Sequence, residues 1–492
     1  MIKSPPRPIG MASRSMFLNI RTLNLSSPPR FGFNYKPFDD ENGSLQIRGG
    51  TGLFTGTPPY VWISNQAGNN GVLFGDLNVR AVKDKNDNII SDGRPSLGFT
   101  GNMDTYKPAE GSATRSDIAI TDPDFKYPSL WKSNIAADYK FGDGWVATVE
   151  LLYSKDINAI YHDNIGLYRT EQFVNDGGAG NARPYYNGYY SDREGNQKAA
   201  NHVVMLRNTS KGHSLYTTFQ LQKNFVDGIL KGLYLNGSYS FGQSRGVTDG
   251  TSSVATSAWK YRAALDGNAE EVGYTAGSFD GRLLLSASYT ANWSKYAATS
   301  FGLIYQRYRP FRYSYCYNGD ANGDSQFSND LMYIPANFDE VKDHLLPGDF
   351  DSQEDAWKAM NAFIEQDPYL SKHRGEYAER NGAVAPFANQ LDLSVSHDIK
   401  IYQKNGRSHT LRFSFNIANF LNLLNRNWGV VQTTVLGNQQ YQFLTIPKGQ
   451  GPSAANNYTL KYTMAKDLDE TFKDNLNDVS RWQMQFGIKY IF

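Results

Sequence analysis

From Trp482 to Phe492 every second residue is apolar. Trp482, Met484, Phe486, Ile488, Tyr490 and Phe492 fall on one side of an extended chain, with Gln483, Gln485, Gly487, Lys489 and Ile491 on the other. A strand turns successive side chains to opposite faces, so this order gives the segment one apolar and one mostly polar face. The same order returns at Leu411, Phe413, Phe415 and Ile417, which alternate with Arg412, Ser414 and Asn416. It also marks Leu233 to Phe241, Leu283 to Trp293 and Leu215 to Phe225. These runs extend about 9–13 residues, beyond the usual 5–6 of globular strands and near the 9–11 that a tilted strand needs to cross a bilayer. A soluble sandwich would share the alternation but not so many long strands.

The connections sharpen the reading. Phe141-Gly142-Asp143-Gly144, Val226 to Gly232 and Gln403 to Arg407 suit tight turns. Long polar links alternate with them: Pro58 to Leu130, Ile160 to Ala200, Ser244 to Asp280, Arg312 to Ala388 and Asn425 to Asn477. Short turns on one rim and long loops on the other are the asymmetry of an outer-membrane barrel. The expected fold is therefore all-β, an antiparallel transmembrane β-barrel of about 13–14 strands with long extracellular loops. One loop holds a helix over Ser352 to Gln366, where Ala356, Ala359, Met360, Phe363 and Ile364 share a face, Asp351 or Ser352 caps the start, and Pro368 follows the end.

Composition agrees and removes other classes. The 49 Lys+Arg nearly balance 48 Asp+Glu, so the basic footprint of a nucleic-acid binder is missing and nucleic acid is not an expected partner. A mean hydropathy of -0.54 and the lack of any long apolar run exclude a helical membrane protein but not a barrel, in which every second residue faces lipid. The single cysteine, Cys316, rules out a disulfide framework and a multi-cysteine metal centre. Residues 1–29 contain Lys3, Arg7, Arg14 and Arg21 with no acid and several prolines, and read as a disordered basic tail.

Few motifs carry chemistry. Asp320, Asn322, Asp324, Gln326 and Asp330 space oxygen-bearing side chains as a calcium loop does. Ser325 stands where such a loop has glycine and Leu331 where it has glutamate, so a solvated turn rich in Asp and Asn competes with calcium as the reading. Gly242-Gln-Ser244-Arg-Gly246 has the spacing of a nucleophile elbow, but a strand leads into a loop there rather than a helix. The seven histidines are scattered, without a zinc-binding pair. No catalytic residue or cofactor other than calcium is expected. Tyr185, Tyr186, Tyr189 and Tyr190, together with Arg307, Arg309 and Arg312, are loop residues suited to stacking on sugars or holding peptides; packing at the rim is the alternative.

Several stretches resemble TonB-dependent outer-membrane receptors, in the Oar-like branch of Bacteroidota that carries a carboxypeptidase-regulatory-like N-terminal domain. They are Arg30-Phe-Gly-Phe-Asn-Tyr35, Ile47 to Gly56, Gly319-Asp-Ala-Asn-Gly-Asp324 leading into Asn329 to Pro335, Phe363 to Gly375, Ile417 to Asn425, and Arg481 to Phe492. The resemblance covers residues 30–492 as the C-terminal part of such a barrel. It implies a barrel of about 22 strands around a plug, a TonB box for energy coupling, and uptake of a bulky nutrient such as an oligosaccharide or peptide. It also implies outer-membrane lipid and the barrel-assembly machinery as partners, with TonB joining only if the missing N-terminal part is present. Signal peptide, plug, TonB box and first strands are not matched, so the chain is expected to be a fragment of a non-enzymatic receptor. A structural or adhesive barrel and a secreted all-β glycan-active protein are the alternative functions.

Overall fold

The computed structural model describes residues 28–57, 60–69, 82–83, 89–91, 102, 117–178, 182–190, 202–250, 252–402, 408–436 and 440–492. The basic tail, apart from Pro28 and Pro29, and the turn at 403–407 lie outside them.

One sheet dominates. Its long strands are β1 (Arg30–Asp40), β2 (Gly43–Thr55), β3 (Ser129–Phe141), β4 (Trp145–Asp156), β5 (Gly212–Asn224), β6 (Leu233–Gly246), β7 (Arg282–Ser294), β8 (Ala297–Tyr308), β9 (Ala388–Tyr402), β10 (Ser408–Ala418) and β11 (Gln483–Ile491). They pair in chain order, each antiparallel to the next. Eleven long strands and the two-residue Gly273–Tyr274 form this sheet, fewer than the count of about 13–14 read from alternation. Val203–Thr209, which follows the long link ending at Ala200, is a strand but pairs in a small sheet of the long connections, and so does Arg312–Asn318 within the link that starts at Arg312.

The register confirms the two faces. Leu45, Tyr139 and Ala147 are successive cross-strand partners, as are Gly49, Ile135, Leu151 and Thr217. Farther along, Phe301, Val395, Phe415 and Phe486 stand in one row. These side chains share the outer face and many are exposed, Phe486 at 66% and Ile135 at 49%, which is the arrangement that lipid solvates. The opposite face carries Arg48, hydrogen-bonded to Asp138 at 2.9 Å, Thr218 to Ser240 at 2.9 Å, Gln220 to Asn236 at 2.7 Å, and Arg412 forked onto Asp398 at 2.6 and 2.7 Å. A one-residue slip would exchange the faces of a whole strand, so burial in lipid fixes the register.

Short and long connections alternate strictly, placing all short turns on one rim. Gly144, between β3 and β4, has φ +81° and accepts the Asn224 amide at 3.0 Å, a left-handed conformation that glycine adopts without steric cost. Aromatic rings gather at this rim: Tyr139, Phe141 and Trp145 stack in sequence at 5.2 and 6.2 Å, and Tyr490 stacks on Phe492 at 5.9 Å. They occupy the level of a membrane-interface girdle. Because eleven strands alternate in direction, β1 and β11 run the same way. Among the described residues neither edge is paired and the sheet does not close.

Candidate functional site at the long-loop rim

The long connections fold into a cap with its own core. Arg312–Asn318 lies between Ala383–Val384 and Gln440–Thr445, which in turn pairs Thr463–Met464. Tyr313, Tyr315, Tyr317, Tyr441, Phe443 and Tyr462 are buried in it. The expected helix spans Gln353–Gln366 and adds Ala356, Met360, Phe363 and Ile364 to the same core. Ser352 caps it by accepting the Asp355 amide at 3.1 Å, which satisfies an otherwise orphan donor. Phe363 meets Phe443 at 4.8 Å between ring centroids. The helix is therefore part of the cap, as its spacing predicts.

Two sequence candidates far apart in the chain meet here. The Asp320–Asp330 loop closes on its own backbone: Asp320 accepts the amides of Gly323 at 2.6 Å and Ser325 at 2.8 Å, and Asp324 accepts that of Gln326 at 2.8 Å. The Asn322 carbonyl accepts the Tyr186 amide at 2.7 Å, so the tyrosine segment is bonded directly to the acidic loop. Gly323 has φ +82°, and a Cβ there would strike the Tyr186 carbonyl. Asn322, Asp324, Gln326 and Asp330 are buried. Burial, with Asp330 and Asp320 nearby, raises the Asp324 carboxyl well above its ordinary range. Burial also pushes Asp330 up to about 7 against the pull of Arg183. Among the described residues no group of three or more His, Cys, Asp or Glu side chains is placed to hold a metal ion.

The aromatic and basic candidates serve the cap as packing and struts. Tyr185, Tyr186 and Tyr189 are buried; Tyr186 donates to Asp266 at 2.7 Å, and Tyr189 shares a hydrogen bond with His202 at 3.2 Å. Tyr190 alone of the four is exposed, its ring edge-on to Tyr168 at 5.3 Å. Arg307 and Arg309 both lie over the Phe387 ring, at 4.5 and 4.1 Å. Arg312 is buried, donates to the Ser278 and Asn381 carbonyls at 2.9 Å each, and pairs with Asp280. Arg307 lies near the end of β8 rather than in a loop, the other six lie in the long connections, and only Tyr190 and the two arginines at Phe387 leave surface for a ligand. The elbow-like Gly242 to Gly246 lies within β6 and leads to no helix.

Sequence reading missed Arg183. Its guanidinium is fully buried, donates to Asp176 at 2.9 Å and Asp330 at 3.1 Å, and reaches the Leu331 carbonyl. Burial opposes its charge, yet Asp176 and Asp330 outweigh that and hold it above its ordinary range. It also missed His162, buried edge-on to Trp62 at 5.6 Å, where burial and then Arg262 push its imidazole down to about 4. Neither residue carries a local signal, since Asp330 reaches Arg183, and Trp62 and Arg262 reach His162, from other connections.

The sequence matches the outer membrane beta barrel domain family over residues 12–450. No curated protein matches it. Solved structures with similar folds include the FrpB iron transporter from Neisseria meningitidis, at 7% identity and TM-score 0.28, covering 79% of this chain and 39% of that one. A variant of the ferric enterobactin receptor PfeA from Pseudomonas aeruginosa, solved with enterobactin, matches at 8% identity and TM-score 0.32, covering 94% of this chain and 57% of the receptor. The chain thus spans less than two thirds of each receptor's length.

Proposed function

The chain belongs to the outer membrane β-barrel domain family and is located in the cell outer membrane; from that premise we propose that it is the barrel part of a TonB-dependent receptor of the Oar-like branch. The observation that carries this reading is the pairing of one continuous lipid-facing belt with a polar inner face and a folded cap on the long-loop rim. A barrel built only as scaffold has no need of so large an ordered mouth, whereas a receptor must select a ligand there. The ligand is a bulky nutrient, an oligosaccharide or a peptide, and the protein catalyses nothing. TonB supplies energy through segments preceding the strands, and the barrel-assembly machinery inserts the sheet.

In cells lacking this chain, uptake of labelled oligosaccharides or peptides is expected to fall, and in cells carrying it a protonophore is expected to abolish the uptake. Unchanged uptake in the deletion strain, or uptake indifferent to the protonophore, rejects the receptor reading. Calcium belongs to the same proposal: burial holds the Asp320, Asp324 and Asp330 carboxyls above their ordinary range, and calcium would stabilise their ionised form. A melting temperature that millimolar calcium does not raise removes it.

A further inference from the structure

We propose that a cavity in the inner wall, at the long-loop ends of β3 to β6, binds a neutral sugar unit; this deepens the receptor reading and rests on it. The cavity has a volume of about 310 Å³, within the lower range of small-molecule sites. Its floor is a single cross-strand row, because Lys132 pairs in register with Ser154, Ser154 with Ser214, and Ser214 with Ser244. Register partners stand about 4.7–4.9 Å apart on one face of a sheet, so the row presents evenly spaced polar groups across four strands. Asp156 adds a carboxylate one step nearer the rim. Its carboxylate fills the space that a Cβ on Gly212 would occupy, and Gly212 has φ +133°. Only glycine at 212 leaves room for the acid there.

These groups have bonding capacity to spare. Among the described residues Lys132, Ser154, Ser214 and Asp156 make no side-chain hydrogen bond or ion pair. Lys132 offers donors only, Asp156 acceptors only, and the serines both. A sugar hydroxyl is at once donor and acceptor, so adjacent hydroxyls can bond to every member of the row. Charge argues the same way. Lys132 and Asp156 offset each other, and Arg245 beside the cavity is neutralised by Glu379, so neither a strongly anionic nor a strongly cationic ligand gains there. The cavity lining holds no Tyr, Trp or Phe, and His213 is its one ring, which leaves hydrogen bonding rather than stacking as the main means of recognition.

The test uses the full chain in detergent on an array of neutral oligosaccharides alongside a peptide library, followed by calorimetry with the strongest neutral glycan. The expected result is glycan binding that weakens at least tenfold in S154V/S214V and in D156N, and persists in S396V, a serine on the same inner face of β9. If the double valine variant fails to insert, the near-isosteric Asp156→Asn alone decides. No neutral-glycan signal, binding indifferent to the cavity variants, or selective capture of peptides overturns the proposal. Glycan binding without protonophore-sensitive uptake would keep the cavity and reject the receptor reading; energised glycan uptake unaffected by these variants would do the reverse.

Discussion

Arg183 Nη1 stands 3.1 Å from Asp330 Oδ1, both side chains essentially without solvent contact, and joins two connections 147 positions apart. The same guanidinium holds Asp176, whose other oxygen accepts the Tyr377 hydroxyl at 2.6 Å. One cation thus ties the connection between β4 and β5 to two separate points of the connection between β8 and β9, and the acidic loop is positioned by it.

Replacing Arg183 by Met is expected to loosen the cap while leaving the sheet inserted. Two buried carboxylates would lose their partner, a change that typically costs about 3–5 kcal/mol. Limited proteolysis should then cut within the loop 319–330 in the variant but not in the parent, and Asp176→Asn with Asp330→Asn should restore part of the protection. Cleavage kinetics equal to those of the parent would show that the ion network does not hold the cap.

His162 makes the cap sensitive to acid. Its folded value of about 4 lies below the ordinary imidazole range, so the folded state resists protonation, and stability present above about pH 6.5 is lost as pH falls toward 4. Asp163 beside it is raised by burial to about 6 and acts in the opposite sense, gaining stability as pH falls through that value. The contribution of His162 is therefore read as the difference between parent and H162Q. Unfolding midpoints of the two should diverge as pH drops from 7 to 4, the variant losing less; parallel pH profiles would exclude His162 as the acid-sensitive group.

The two faces were legible in the sequence because lipid on one side and polar groups on the other impose a period of two along each strand. The loop asymmetry and the helix at Gln353–Gln366 followed from equally local signals, turn residues and a capped apolar face. The cap was not legible. Tyr185 and Tyr186 look like exposed recognition residues in a polar link, and their burial depends on Asp266, Tyr458 and Asn322 arriving from other connections. The inner-wall row of Lys132, Ser154, Ser214 and Ser244 was hidden for the same reason: it exists only once four strands are in register.

That register predicts a sharp contrast between neighbouring residues of β4. Leu151 faces lipid while Glu150 faces the inner side, where Arg48 lies 3.8 Å away. Arginine at a lipid-facing position near the bilayer midplane costs about 2–4 kcal/mol. L151R should lower the denaturant midpoint of the chain folded into lipid vesicles by a corresponding amount, whereas E150Q should change it by less than about 1 kcal/mol, the scale of an exposed ion pair. Equal destabilisation by both would mean that the faces are assigned wrongly.

The open edges make the last prediction. β1 and β11 each lack a partner on one side among the described residues, and their parallel direction decides what fits between them. Direct closure of β1 on β11, or insertion of a second copy in the same orientation, would make a parallel seam; an antiparallel seam needs an odd number of additional strands. Until such strands pair, edge amides face no acceptor, whereas those of β5 are bonded on both sides by β4 and β6. Hydrogen–deuterium exchange on the purified chain should therefore show fast exchange for roughly half the amides of Arg30–Asp40 and Gln483–Ile491, and slow exchange throughout Gly212–Asn224. Protection at both edges equal to that of β5 would mean that the chain closes on itself or on a copy, through the parallel seam that the strand directions require.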